Sequence, residues 1–290
     1  MLARSHHRGR RKKRGRDSGH IERPLGFLGG GNMAGALVKG LLASRTYAPA
    51  DIWVAEPLVA RRRALSRGFR ITTTADNRAV ASSSSIVVLA VKPQVMDSVV
   101  EEIRPAVRPG TLFVSIAAGV RLDRLERALG AGARVVRVMP NTPALLGRGM
   151  SVVVPGRHAS RRDVGRTLAI FRAVGDAVAV ADEKLLDAVT GLSGSGPAFV
   201  YAFAEALIEG GRRAGLEPAL ASRLALRTVA GAAAMLLETG LGPAELRSMV
   251  TSPGGTTLAG LSHLDAQGFS RAVQGAVEVA AARARELAGR

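Results

Sequence analysis

Gly29, Gly31 and Ala34 stand in the spacing G-x-G-x-x-A inside the stretch LGFLGGGNMAGAL. An apolar run precedes the first glycine and a helical pattern opens near Asn32. In that setting the first Gly permits a tight turn, the second lets a pyrophosphate approach the backbone, and Ala34 keeps helix and strand close. The free N–H groups and positive dipole end of the helix then face the phosphates. The pattern alone is weak, but its place between a first strand and a helix makes it a dinucleotide site. Glu56 lies 25 residues past Gly31 at the end of the next strand. An acid there accepts from a ribose 2′-OH and disfavours a 2′-phosphate. Arg61, Arg62 and Arg63 follow at once; they either serve a 2′-phosphate or form a solvated helix face. NAD and NADP both stay open.

Other segments fall where ligands gather in a doubly wound sheet, at the carboxyl ends of strands. LAVKPQ (89–94) puts Lys92 at that edge, within reach of a ribose, a phosphate or plain solvent. SIAAGV (115–120) offers small residues against which a flat ring can lie, and MPNTPALLGRG (139–149) sets Asn141 and Thr142 between two prolines. TSPGGTTLAG (251–260) contains no acid, base, Cys or His, and locally it reads as a connection between two helices. His6, His7, His20, His158 and His263 show neither metal-ligand spacing nor a triad partner, so no metal site is expected.

The elements that must carry these residues follow from composition and pattern. A chain of 290 residues, 47% hydrophobic and with 34 Gly, suits a globular α/β protein of two domains. Aromatics at 3% argue against base stacking as the main task. The absence of Cys excludes disulfides, thiolate catalysis and Cys-bound metals, and fits a cytoplasmic protein. No apolar run reaches the length of a membrane span and no apolar leader core stands at the N-terminus. Of the net charge of +18, residues 1–23 supply +7 through nine Lys or Arg against two acids. A disordered basic tail is expected there, with nucleic-acid binding possible only through it.

From Pro24 to residue 182, strand-like runs at 25–29, 52–56, 69–73, 85–91, 111–117, 134–139, 151–154 and 177–181 alternate with helical patterns such as 32–44, 94–104, 122–129 and 161–173. Several runs are continuously apolar, as parallel strands covered on both faces are. Strand and helix in alternation predict a Rossmann-like doubly wound sheet over 24–182. From Glu183 to 290 strands stop, and an all-α domain is expected. Its stretch ALASRLALRTVAGAAAMLLE is apolar nearly all round, which predicts burial between subunits of a homo-oligomer.

Taken together, GFLGGGNMAGALVKGL, AVKP, SIAAGV, RVMPNTPALLGRGM, DAVTGLSGSGPAFVYAFAEAL and MVTSPGGTTLAGL closely resemble pyrroline-5-carboxylate reductases, in the family's order and over roughly residues 24–285. The resemblance implies a Rossmann-like domain, a helical domain that interlocks with a second subunit's, and dimers assembling further, often to decamers. It implies reduction of the cyclic imine pyrroline-5-carboxylate to L-proline by NADH or NADPH, the last step of proline biosynthesis. By position, Leu28, Gly29, Gly30, Gly31, Asn32 and Met33 would hold the pyrophosphate. Asn77, Ala90, Val91, Lys92, Pro93, Ile116, Ala117 and Ala118 would line the rest of the cofactor. Glu183 matches a family acid that meets the ring nitrogen. Gly255, Thr256 and Thr257 match residues around the substrate carboxylate, with the Thr257 hydroxyl near the ring nitrogen. Ser193 and Ser195 lie in the signature without an assigned role. Glu56 departs from relatives that carry a small or hydroxyl residue suited to NADP.

Such chemistry asks little of protein acids. A protonated imine is already electrophilic, so the main task is placing nicotinamide C4 against ring C5. Glu183 would favour the cationic iminium by its charge; without the resemblance it is an ordinary acid at a helix start. The neutral SPGGTT turn would hold the carboxylate on backbone N–H groups at a helix N-terminus, and a basic side chain there would oppose the iminium. The rival readings are another Rossmann imine reductase, a β-hydroxyacid-type dehydrogenase, and a dinucleotide-sensing or nucleic-acid-binding protein acting through its tail. The dehydrogenase needs a Lys on the helical domain that SGSGP lacks.

Overall fold

A computed structural model describes residues 24–289; the basic tail expected over 1–23 lies outside the described residues. Strands β1 (Leu25–Leu28), β2 (Ile52–Ala55), β3 (Thr72–Thr74), β4 (Ile86–Leu89), β5 (Leu112–Ser115), β6 (Arg134–Met139), β7 (Gly149–Pro155) and β8 (Gly175–Ala179) form one sheet in the order β3-β2-β1-β4-β5-β6-β7-β8. The first six are mutually parallel, β7 runs antiparallel to β6, and β8 is parallel to β7. The chain reverses its direction of winding between β1 and β4, the switch point at which α/β sheets open a ligand crevice.

Helices α1 (Asn32–Ala43), α2 (Val59–Phe69), α3 (Asn77–Ser83), α4 (Met96–Ile103), α5 (Leu122–Leu129) and α6 (Arg161–Arg172) cover the sheet. Alternation along the strands divides the core between its faces. Leu25 and Phe27 of β1 join Leu37, Leu41, Ile170 and Phe171 on one side. Leu28 joins Leu89, Met96, Ile103 and Phe113 on the other. The sheet is therefore Rossmann-like and doubly wound. The strand expected at 69–73 is displaced to Thr72–Thr74, because α2 runs on through Phe69 and ends at Arg70 in the left-handed conformation, φ 56°.

Beyond β8 the described chain is helical: α7 (Leu185–Val189), a π-helical turn (Thr190–Gly194), α8 (Gly196–Arg213), α9 (Pro218–Glu238), α10 (Pro243–Met249), α11 (Thr256–Ala266) and α12 (Phe269–Ala288). α12 packs on α7 and the π-helical turn, and α8 packs on α9. Only Ala221 and Ala225 of α9 are buried, while Leu220, Leu224, Leu226, Leu236 and Leu237 are exposed. This helix has the length and mean hydropathy, 1.4, of one that can cross a bilayer. Arg223 and Arg227 interrupt its apolar run, as expected of a chain with no uninterrupted run of that length. Val200 and Tyr201 of α8 are exposed as well, and Leu236 lines an apolar cleft together with Met249 and Val250.

Candidate active site

Strand register builds the site. Leu28 pairs with Ala55 on one side and Leu89 on the other, and Leu89 pairs with Ser115. The chain therefore leaves β1, β2, β4 and β5 at one level, bringing Gly29, Glu56, Ala90 and Ile116 to a common edge. Backbone bonds continue just past the strands: Gly29 N–H to Ala55 O at 2.8 Å, Ala90 N–H to Leu28 O at 2.8 Å, and Ile116 N–H to Leu89 O at 3.2 Å. Gly29 turns with φ 97°, and a Cβ there would stand 2.7 Å from Ala90 O. Around Gly31 a Cβ would meet nothing within 4 Å, and no side chain caps α1. The first N–H groups of α1 are thus open beside an unobstructed backbone, an arrangement that fits a pyrophosphate. Leu28, Gly30 and Ala117 are buried, so only their backbone can meet a ligand; Asn32, Lys92 and Ala118 are exposed, and Met33, Val91 and Pro93 lie between.

Glu56 has a task that its spacing did not reveal. It is 4% exposed; Oε2 accepts from Gly30 N–H and Oε1 from Leu58 N–H, each at 2.9 Å. Oε2 thus braces the glycine turn and Oε1 the segment that leads into α2, so the carboxylate expected to meet a ribose is tied to the backbone at both oxygens. Arg62 in turn donates to the carbonyls of Glu56 and Pro57 at 2.6 and 2.8 Å. Arg61 instead lines a cavity of about 340 Å³ together with Gly30, Gly31, Asn32 and Lys39, and no acid lines it. Asn77 opens α3 beside the same edge, with its amide donating to Glu102 at 2.8 Å.

Glu183 sits where sheet and helices meet. Its Oε1 accepts from Leu122 N–H at 2.8 Å and from Arg137 Nη1 at 2.6 Å, and the Arg137 side chain is 5% exposed. The carboxylate expected to favour a cationic ring by its charge thus has a cationic partner within the chain, the Arg137 guanidinium. Arg137 is a residue that sequence reasoning missed. Its signal was a charge in the middle of the apolar strand RVVRVM.

Arg137 also lines a cavity of about 510 Å³ with Pro93, Ala118, Arg124, Thr190 and Leu287, between the strand edge and the helices α7 and α12. Arg124 donates through Nε to Asp97 at 3.0 Å. That bond holds the Asp97 carboxyl below its ordinary value and raises the Arg124 guanidinium. Asn141 joins the two parts elsewhere: its amide donates to the carbonyl and hydroxyl of Ser193 at 3.3 and 3.2 Å, and it accepts from Met150 N–H at 2.8 Å.

The SPGGTT turn has the geometry its residues suggest. Gly254 adopts φ 71°, while Gly255 is extended, and a Cβ on Gly255 would lie 2.4 Å from Ser252 Oγ. Only Gly254 needs left-handed freedom; at Gly255 a side chain would press on Ser252. Thr256 and Thr257 open α11, which has no side-chain cap, and both are exposed. None of residues 251–257 lines the cavity at the strand edge. Within one chain the structure therefore gathers the residues expected to meet the cofactor, and Glu183, around the sheet edge and leaves the turn exposed.

A pyrroline-5-carboxylate reductase of Synechocystis sp. is 46% identical over 264 residues, covering 91% of this chain and 97% of that protein. The chain belongs to the pyrroline-5-carboxylate reductase family. Residues 183–287 match the family described as pyrroline-5-carboxylate reductase dimerisation, and residues 24–119 match the family described as NADP oxidoreductase, coenzyme F420-dependent. Among solved structures, a reductase of this family from Coxiella burnetii superposes with a TM-score of 0.87 at 36% identity, covering 91% of this chain and 98% of that one. A Plasmodium falciparum pyrroline carboxylate reductase with NADP bound gives 0.82 at 30% identity, covering 92% and 99%.

Proposed function

We propose that this chain reduces L-1-pyrroline-5-carboxylate to L-proline with NADH or NADPH, the final step of proline biosynthesis. The single observation that carries this reading is its near full-length relation to reductases of that name. We infer a boundary at residue 182, with the cofactor on 24–182 and substrate binding and dimerisation on 183–290. When bound, the reduced nicotinamide supplies a hydride to the C=N carbon of the ring. Gly29 to Met33 and the N-terminus of α1 hold the pyrophosphate; Asn77, Ala90 to Pro93 and Ile116 to Ala118 line the remainder.

With Glu56 turned onto the backbone, Arg61 and Lys39 are the charged groups facing the glycine turn, and a 2′-phosphate satisfies them. We therefore assign NADPH as the preferred cofactor. Gly255, Thr256 and Thr257 receive the substrate carboxylate on the open N–H groups of α11, and the Thr257 hydroxyl accepts from the protonated ring nitrogen. Because that nitrogen carries its proton on arrival, no protein acid has to deliver one. Glu183 serves as a positioning residue, holding Arg137 and the start of α5 at the cavity wall.

The outward-facing turn is completed by a second copy. One chain's SPGGTT turn closes over the partner's crevice, and the apolar face of α8 to α10 becomes the homodimer contact. Further assembly, such as a decamer, extends this reading, as does placement in the cytoplasm, with the α9 leucines against protein instead of lipid. Any nucleic-acid contact we assign to residues 1–23, and removing residues 1–22 is expected to leave turnover unchanged. Mixing the full chain with pyrroline-5-carboxylate and either cofactor tests the reading: cofactor absorbance should fall with substrate present, faster with NADPH. No oxidation with either cofactor would overturn it.

A further inference from the structure

At the end of the sheet away from the cofactor edge, where β5 and β6 begin, lies a cavity of about 320 Å³. The segment 107–111 ahead of β5 and the segment 129–134 ahead of β6 form its walls. Arg104, Arg108 and Arg134 line it, and no acidic side chain does. Among the described residues neither Arg104 nor Arg108 makes a side-chain hydrogen bond or an ion pair, and both are exposed. Arg134 is partly matched, with Nη1 3.3 Å from Asp163 Oδ1. Its Nε is buried without a partner, and its Nη2 stands 3.8 Å from where a Cβ on Gly110 would be.

Thr111 also lines the cavity. It is 5% exposed, and its buried hydroxyl has no hydrogen-bond partner. Buried polar groups are nearly always satisfied, so an unpartnered hydroxyl and guanidinium N–H beside one cavity point to a missing acceptor. The charge sets its nature. Asp163 is shared between Arg134 at 3.3 Å and Arg166 at 3.8 Å, so Arg104 and Arg108 line the space with no acid of their own, and one carboxylate would match only one of them. A phosphate dianion matches both and suits the forked donors of arginine.

We infer that this cavity binds a phosphate-class oxyanion, inorganic or carried by a small metabolite, at a site separate from the nicotinamide edge. The test is titration calorimetry on the full-length protein saturated with NADPH, so that the cofactor's own phosphate subsites are filled, at about physiological ionic strength to suppress loose binding to the basic tail. Inorganic phosphate and ribose 5-phosphate are the two probes. One site per chain is expected. Arg104→Gln/Arg108→Gln should weaken it at least about tenfold, with kcat and the phosphate-free thermal midpoint unchanged. Thr111→Val, nearly isosteric, should weaken it less. Tighter binding of ribose 5-phosphate would identify a phosphorylated metabolite as the ligand, and equal or weaker binding would identify the free anion. Absence of binding by both probes, or equal binding by wild type and the double variant, would overturn the inference.

Discussion

Glu56 and Arg61 stand differently at the glycine turn. The carboxylate braces Gly30 and Leu58, and the arginine reaches the cavity beside the glycine turn. A charge-assisted hydrogen bond contributes about 1.5–3 kcal/mol. Arg61→Ala should therefore raise KM for NADPH by about tenfold or more and leave KM for NADH nearly unchanged. Equal losses with both cofactors would show that Arg61 does not meet a 2′-phosphate. Glu183 makes a complementary case. Glu183→Ala strands the Arg137 guanidinium, whose side chain is 5% exposed. Breaking a buried pair on one side costs about 3–5 kcal/mol, so denaturant unfolding should show a loss near 3 because Glu183 is not fully buried. Glu183→Gln should recover part of that loss and keep kcat within a few-fold of wild type, as a positioning role requires. A kcat collapse in a well-folded Glu183→Gln protein would return Glu183 to a direct electrostatic role.

Between elements, the Asp97–Arg124 pair ties α4 to α5 beside the strand-edge cavity. The Asp97 carboxyl is depressed in the folded protein by its bond from Arg124. The tie is therefore whole above the unfolded value of about 4 and is lost as pH falls through the lower folded value. Wild type should exceed Asp97→Asn in thermal midpoint at pH 7 and lose that advantage below about pH 4. The gap will be small, since both side chains are largely exposed. A gap that persists unchanged at pH 2 would contradict the pairing. Elements were legible where pattern and local chemistry agree: β6 falls on residues 134–139 as the run RVVRVM predicts, and α5 on 122–129. β3 slipped because the apolar Phe69 belongs to the preceding helix and only the turn at Arg70 frees the chain to extend. The glycine turn and the SPGGTT turn could be read because each needs glycine for a local reason. The partners of Glu56 and Glu183 could not, because they depend on strand register and on the packing of α5 against the helical part.

For the whole molecule, the decisive feature is that the SPGGTT turn is exposed and does not line the cavity at the sheet edge. If two chains share each site, mixing Gly31→Glu, which puts an anion at the pyrophosphate turn, with Thr257→Glu, which repels the carboxylate, should restore activity neither has alone. Random pairing would return about a quarter of wild-type turnover, since one of two sites is intact in half of the dimers. No recovery after verified subunit exchange would place turn and crevice in the same chain. The central claim remains the reaction itself. The most direct measurement is to supply NADPH deuterated at the transferable C4 position with pyrroline-5-carboxylate and to analyse the product by chiral chromatography and mass spectrometry. L-proline carrying one deuterium at C5 is the predicted product; proline without deuterium, or no proline while the cofactor stays reduced, would contradict it.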